Sequence, residues 1–306
     1  MPVKQPPRPS FSEERFLNDI SNASTALGVP YSENTTRRIL SVFRKSFHQG
    51  CVLWRTTDQP NGELNYRVYE RQSIDMVALA MDAGLISKND VLVSLVQSWS
   101  SLYGEESHQL ADFDAARGLV KFWVYLGSMR PLVEVFGVPE LPACIKRHQD
   151  LFVALNLTHV RHTAVDLEKK SINLYFRTTR GFAREVVDEY ISIAGADPIS
   201  DTLFEEIRQQ FPKSGGTFAV TMDFATGKIS RVAFYALRLS PEDMPSFNER
   251  IWTFFQVCLS YDEEEMMALA WSFGKGRRSY IKAEHSHSGA LVELLRQWNT
   301  PMTDGR

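Results

Sequence analysis

Cysteine is scarce in this 306-residue chain: Cys51, Cys144 and Cys258 are its only three, and none are spaced as a zinc site or a disulfide framework would require. No long apolar run is present to cross a membrane, and no N-terminal stretch has the pattern of a secretory signal. These absences point to a reducing compartment, so the expected location is cytoplasmic, with no membrane partner. Excess basic charge is also lacking. With 34 Lys and Arg against 37 Asp and Glu, the formal net charge is −3, so a nucleic-acid partner is not expected and any cationic site must be local. Several catalytic signatures are missing: no DDxxD-type cluster to bind a metal-diphosphate, no GxGxxG or P-loop, no HExxH and no GxSxG. The opening PVKQPPRP is Pro-rich and basic, and residues 1–10 read as a disordered leader before a single domain at 11–306.

What the chain does have is a repeated alternation. In SINLYFR, Ser171, Asn173, Tyr175 and Arg177 alternate with Ile172, Leu174 and Phe176, the period of a strand with one apolar and one polar face. The same rhythm returns with Asn65, Arg67, Tyr69 and Arg71, with Lys121, Trp123 and Tyr125, with Arg231 and Tyr235, and with Tyr280, Lys282 and Glu284. As neighbours in one sheet, these strands would turn a cationic, aromatic face to one side.

The order of elements repeats as well. Ser10 and Glu13 form a capping-box pattern ahead of a helix ending at Gly28, and a second helix stops at Gly50. Strands at 51–57 and 64–71 follow across the turn DQPNGE. Helices at 73–83 and 88–103 then precede strands at 109–116 and 119–126. A weaker helical pair at 131–137 and 142–154 precedes strands at 158–166 and 170–177. Helices at 182–194 and 200–210 lead to strands at 217–223 and 229–238, joined by ATGK. The last unit has a helix near 242–259, strands at 265–272 and 278–285, and a closing helix at 289–298. Five helix-helix-strand-strand units of about 50 residues predict an α+β chain with ten antiparallel strands. Closing that sheet into one ten-stranded antiparallel β-barrel with an outer ring of α-helices removes its edges and makes the polar face a wet chamber. Two α+β domains with solvent-facing strands are the competing reading.

Arg67, Lys121, Arg177, Arg231 and Lys282 share inward parity and come from different units. Such a cluster suits a diphosphate, which needs charge-assisted bonds to offset its desolvation; surface ion pairs are the alternative for each. Trp54, Tyr69 and Trp123 would line the same chamber or serve as core. Asp262, Glu263, Glu264 and Glu265 read as a solvated loop, and His285 and His287 as pointing away from Glu284.

The runs WRTTDQPNGELNYR, WSSLYG, FDAARGLVKFWVYLG, HVRHTAVDLEKKSINLYFR, TGKISRVAFYAL, WSFG and YIKAEHSHSG resemble the soluble aromatic prenyltransferases of the ABBA type, the PT barrels, over nearly the whole chain. The likeness is greatest to the 4-hydroxyphenylpyruvate and phenazine prenyltransferase group of secondary metabolism and antibiotic biosynthesis. The resemblance implies the same barrel and a reaction: transfer of a dimethylallyl group from dimethylallyl diphosphate to an aromatic acceptor, phenolic or phenazine-type and carboxylated. It implies diphosphate binding by Lys121, Arg231 and Lys282 with Asn173 and Tyr175, and by Arg67, Arg161, Arg177 and Tyr235 in addition. Trp54, Tyr69, Trp123, Ala219 and Ser286 would line the prenyl and acceptor chamber, and Glu284 matches the proposed base. Metal-dependent members carry an Asp on the second strand. Asn65 stands there in this chain, with Arg67 two residues on, so no divalent metal or other cofactor is expected. A monomer is expected. A barrel that only carries aromatic anions and a prenyl diphosphate hydrolase are the alternatives.

Overall fold

The computed structural model describes residues 11–178, 180–211, 216–239, 244–245 and 247–302. The 1–10 leader lies outside them. The strands are β1 (Cys51–Thr57), β2 (Asn65–Tyr69), β3 (His108–Asp114), β4 (Gly118–Pro131), β5 (His159–Asp166), β6 (Ser171–Arg177), β7 (Thr217–Asp223), β8 (Ile229–Leu237), β9 (Met267–Gly274) and β10 (Ser279–Ser288). They pair antiparallel in chain order, and β10 returns to β1, which closes the barrel. The two-domain reading is therefore set aside.

The helices sit between the strand pairs. α1 (Glu13–Leu27), α2 (Glu33–Val42) and α3 (Arg44–Gln49) precede β1, and α4 (Met76–Asp82) and α5 (Val91–Ser101) precede β3. α6 (Leu132–Phe136), α7 (Ala143–Lys146) and α8 (Gln149–Ala154) follow β4; α9 (Arg184–Ser192) and α10 (Asp201–Gln210) follow β6. α11 (Glu249–Val257) precedes β9, and α12 (Leu291–Gln297) closes the chain. The capping box moves: Ser12, not Ser10, caps α1 by accepting from the Arg15 amide. The helix expected near 242–259 is described only from Asn248, its N-cap, onward; residues 242, 243 and 246 lie outside the described set.

Strand alternation divides the apolar residues into two cores. Outward residues such as Val52, Tyr66, Phe113, Phe122, Ile172 and Phe234 pack under the helices, while Leu53, Leu110, Trp123, Tyr175 and Tyr235 form an interior cluster. Trp54 belongs to the outer core, contrary to its expected place in the chamber. With Leu53 and Arg55 facing in, the pleat turns Trp54 out, where its ring stacks on Phe16 (4.9 Å, 3°) and its N–H donates to the Leu259 carbonyl at 3.1 Å. Burying a side chain of this size contributes roughly 1.5–3 kcal/mol.

The two barrel ends differ. α12 enters one of them, with Leu291, Leu294, Leu295 and Trp298 in the interior cluster and Trp298 stacked on Tyr125 (4.1 Å, 14°). The acidic run expected as a solvated loop holds this plug. Asp262 accepts from the amides of Ala290 and Leu291 at the start of α12, and Glu264 forms a two-bond pair with Arg296, both at 2.6 Å. β4, β8 and β10 begin at the other end, where Arg231 and Tyr280 are partly exposed. The ATGK turn brings β8 back from β7 there. Gly227 has φ +70°, and a Cβ on it would lie 2.1 Å from the Cys144 carbonyl oxygen, so only glycine fits.

Candidate active site

The register of the strands gathers cations at the open end. Lys121 on β4 donates to Asn173 Oδ1 on β6 at 3.3 Å, and the Asn173 amide donates to the Thr221 hydroxyl at 2.6 Å. Arg231 donates to the same hydroxyl at 3.3 Å, and its Nε is buried without a partner. Lys282 donates to the Tyr235 hydroxyl at 3.2 Å. Carboxylates are sparse around these bases; Asp166 stands 3.9 Å from Lys121. Burial therefore governs their titration. It pushes Lys121 down to about 7 and, helped by Arg231, Lys121 and Arg55, holds Lys282 well below the ordinary lysine range. Such a cluster is costly to keep charged by itself, and a partner anion would offset that cost.

Arg161 and Arg177, expected among the diphosphate ligands, lie toward the other end. On β6, Arg177 is four residues from Asn173, about 13 Å along the strand. Arg161 is the extra residue of a bulge: Val160 pairs with Phe176 and His162 with Tyr175, leaving Arg161 unpaired between them. Plain alternation would place only one of Arg161 and His162 inside, yet the bulge turns both into the chamber wall. Arg161 Nη1 donates to the Asn299 carbonyl beyond α12 at 2.9 Å, while Nε and Nη2 are buried and unpartnered. Burial and the neighbouring Arg177 lower Arg161 to about 10. His162 is held well below the usual range by burial and then by Arg161 and Arg67, so it is neutral at pH 7.

Inside the barrel lies a narrow chamber bordered by Arg67, Tyr69, Trp123, Tyr175, Tyr235 and Glu284. Its wall is aromatic. Trp123 packs on Tyr175 at 4.5 Å, and Tyr175 meets Tyr235 edge-on at 5.8 Å. Tyr69, Leu295 and Thr300 also line it, and Ala219 lies in the interior cluster opposite Tyr175. Ser286 does not reach the chamber. Its hydroxyl accepts from the Met266 amide at 3.0 Å and pairs with Ser260 at 3.1 Å, which fixes the loop leading into β9.

Glu284 opens onto this chamber, buried, with Arg67 Nη2 at 3.5 Å. Arg67 is not a free diphosphate donor. Nε and Nη2 both bond Asp112, Nη1 donates to the Tyr69 hydroxyl at 3.0 Å, and the guanidinium lies 4.0 Å over the Trp123 ring. Asn65 is likewise engaged, accepting from Arg55 at 2.8 Å and donating to Asp114 at 3.3 Å. Asp112 and Arg55 are the chief residues the sequence reading missed. Arg55 has the inward parity of β1, and the apparent promise of Trp54 obscured it. Asp112 carried no local signal, because its role comes from the pairing of β3 with β2 and β4. His285 and His287 lie outside, as their parity implied, among Phe255 and Phe16.

The fold is thus a closed ten-stranded barrel with helices between its strand pairs, and its interior holds a cluster of bases, an aromatic wall and the buried carboxylates Asp112 and Glu284. The family described as Aromatic prenyltransferase Orf2 matches residues 11–299, and the chain belongs to this family of aromatic prenyltransferases. An aromatic prenyltransferase of Sclerotinia sclerotiorum is 46% identical over 96% of each chain. The 4-hydroxyphenylpyruvate 3-dimethylallyltransferase of Streptomyces niveus is 39% identical over 96% of this chain and 90% of its own. Among solved structures, 5-dimethylallyltryptophan synthase from Streptomyces coelicolor superposes with a TM-score of 0.53 at 9% identity, covering 90% of this chain and 96% of that one, which shows the shared barrel. Membership of an enzyme family sets the carrier alternative aside. Among the described residues no helix is long and apolar enough to cross a membrane.

Proposed function

We propose that this enzyme transfers the dimethylallyl group of dimethylallyl diphosphate to an aromatic acceptor that carries a carboxylate, without a divalent cation. Lys121, Arg231 and Lys282 take the diphosphate at the open end, with Asn173 and Thr221 holding the bases in place. As the carbon–oxygen bond breaks, negative charge grows on the departing diphosphate, and these fixed cations stabilise that charge more than they stabilise the intact donor. The allyl cation lies against Tyr175, Tyr235 and the side of Trp123 that Arg67 leaves open; their ring faces attract it and exclude water. The acceptor ring attacks it, and Glu284 removes the proton from the ring carbon or the activating hydroxyl. Asn65, whose amide is already engaged with Arg55 and Asp114, supplies no carboxylate for a magnesium ion. The mouth's own bases take over that positive charge.

The single observation behind the carboxylated acceptor is Arg161, whose buried Nε and Nη2 lack partners at the far end of the chamber. That edge of a guanidinium fits the two oxygens of a carboxylate. It also orients the acceptor, placing its ring between Arg161 and the allyl group.

A charge-assisted hydrogen bond of about 1.5–3 kcal/mol sets the expected loss. Arg161→Gln is expected to raise KM for 4-hydroxyphenylpyruvate about 10- to 100-fold. KM for dimethylallyl diphosphate and the rate with an uncarboxylated phenol should stay near wild type, and Tm should not fall, because an under-bonded buried cation is removed. Steady-state kinetics with both acceptors checks this; equal losses on both would show that Arg161 does not read the carboxylate.

A further inference from the structure

Asp112 is the most heavily bonded acid in the chamber. It is 1% exposed, and its register partners are Arg67 on β2 and Lys121 on β4, so its side chain stands between two bases on the inward face. One oxygen accepts from Arg67 Nε and from the Trp123 indole N–H at 3.0 Å. The other accepts from Arg67 Nη2 at 3.2 Å and lies 3.3 Å from Arg55 Nη1. Burial alone would raise its pKa, but Arg67 and Arg55 outweigh burial and hold it below the usual carboxylate range. Asp112 thus remains an anion with its lone pairs directed at fixed donors.

Two things follow from that arrangement. The indole of Trp123 is pinned by its N–H, which sets the ring against Tyr175 and under the guanidinium. Arg67 is drawn toward Asp112 as well, so its contact with Glu284 stays at 3.5 Å, longer than a hydrogen bond. Among the described residues, no other base lies in salt-bridge range of Glu284.

We infer that Asp112 is a positioning residue that holds Arg67 off Glu284, keeping that carboxylate open to the acceptor's proton. This rests on the role given above to Glu284. With Asp112 neutral, Arg67 would close on the nearest remaining anion, and a carboxylate locked in a two-bond arginine pair is a poor proton acceptor. Donor binding lies with Lys121, Arg231 and Lys282; Asp112 reaches that group only through its charge on Lys121, to which Asp166 contributes more. Asp112 acts through Arg67, so in the absence of Arg67 it has little left to do.

The test uses the full chain and three variants, with dimethylallyl diphosphate and the acceptor the wild type turns over. Asp112→Asn is expected to lower kcat about 100-fold, within the range of general-base effects, while the Kd for dimethylallyl thiolodiphosphate changes less than about threefold, so that the loss is in turnover and not in donor binding. Arg67→Gln is expected to lose less than Asp112→Asn, and Arg67→Gln/Asp112→Asn to match Arg67→Gln within about threefold, the non-additivity of residues acting as a unit. If the isolated Asp112→Asn chain does not fold, the comparison of the double variant with Arg67→Gln still decides, because neither leaves Arg67 unpaired. Equal losses in Asp112→Asn and Arg67→Gln, or a further tenfold loss in the double variant, would overturn the proposal and make the pair structural. A crystal structure of Asp112→Asn provides a readout free of turnover: Arg67 Nη2 should lie within hydrogen-bond distance of Glu284, and an unmoved Arg67 would count against the clamp. A wild type that forms no prenylated product would overturn the transferase reading, while the crystal structure would still judge the clamp.

Discussion

Glu284→Gln is expected to reduce prenyl transfer by about 10²–10⁴-fold, the range for loss of a positioned general base, while leaving donor affinity near wild type. Glutamine keeps the shape of the side chain and leaves Arg67 bonded to Asp112, so the network of Arg67, Asp112 and Trp123 survives. It cannot take up a proton. The mouth that binds diphosphate is unaltered, so calorimetry with dimethylallyl thiolodiphosphate should return a Kd within about twofold of wild type, a change of no more than about 0.4 kcal/mol. Heterolysis does not need the base, so slow release of diphosphate with dimethylallyl alcohol as the product is the expected residue of activity. Full prenylation by Glu284→Gln would remove this side chain from the chemistry.

Arg231→Gln should act on the other half of the reaction. Its guanidinium sits at the partly open mouth, donates to Thr221 at 3.3 Å and has a buried Nε without a partner. Removing one fixed donor from a developing anion costs on the order of 10²–10³ in rate, and kcat/KM for the donor should fall by that amount. KM for the acceptor, bound at the far end near Arg161, should be little changed. Arg231→Lys is expected to recover only part of the loss, because an ammonium restores charge without the planar pair of donors. The two variants are therefore separable: Glu284→Gln keeps donor affinity and loses the product, whereas Arg231→Gln loses kcat/KM for the donor. A normal donor kcat/KM in Arg231→Gln would mean that Lys121 and Lys282 carry the diphosphate alone.

Much of this geometry was legible because strand parity is a local property. Lys121, Asn173, Tyr175, Tyr235 and Lys282 each alternate with apolar neighbours, Arg231 and Glu284 continue the parity of Tyr235 and Lys282 on their strands, and closing the sheet turns all of them inward. Parity failed where the backbone departs from regularity or where chemistry outweighed it. A bulge at Arg161 places both Arg161 and His162 in the wall, and no residue type in HVRHTAVD announces it. Trp54 drew attention as an aromatic, although Leu53 and Arg55 on either side determine that it faces out. Height along the barrel was also hidden, since it depends on the stagger between strands; Arg177 has the parity of Asn173 but stands about 13 Å further along β6. Asp112 and the clasp of Asp262 and Glu264 on α12 depend on contacts between segments distant in sequence, which no local pattern encodes.

The most direct measurement of the central claim is a single incubation of the purified chain with dimethylallyl diphosphate and 4-hydroxyphenylpyruvate in excess EDTA, read by mass spectrometry for addition of C5H8 to the acceptor. The expected result is the prenylated acid formed at the rate seen with magnesium present, since Lys121, Arg231 and Lys282 supply the positive charge. Product that appears only when magnesium is returned would contradict the assignment of that charge to the side chains, and diphosphate release without any prenylated acceptor would contradict transfer itself.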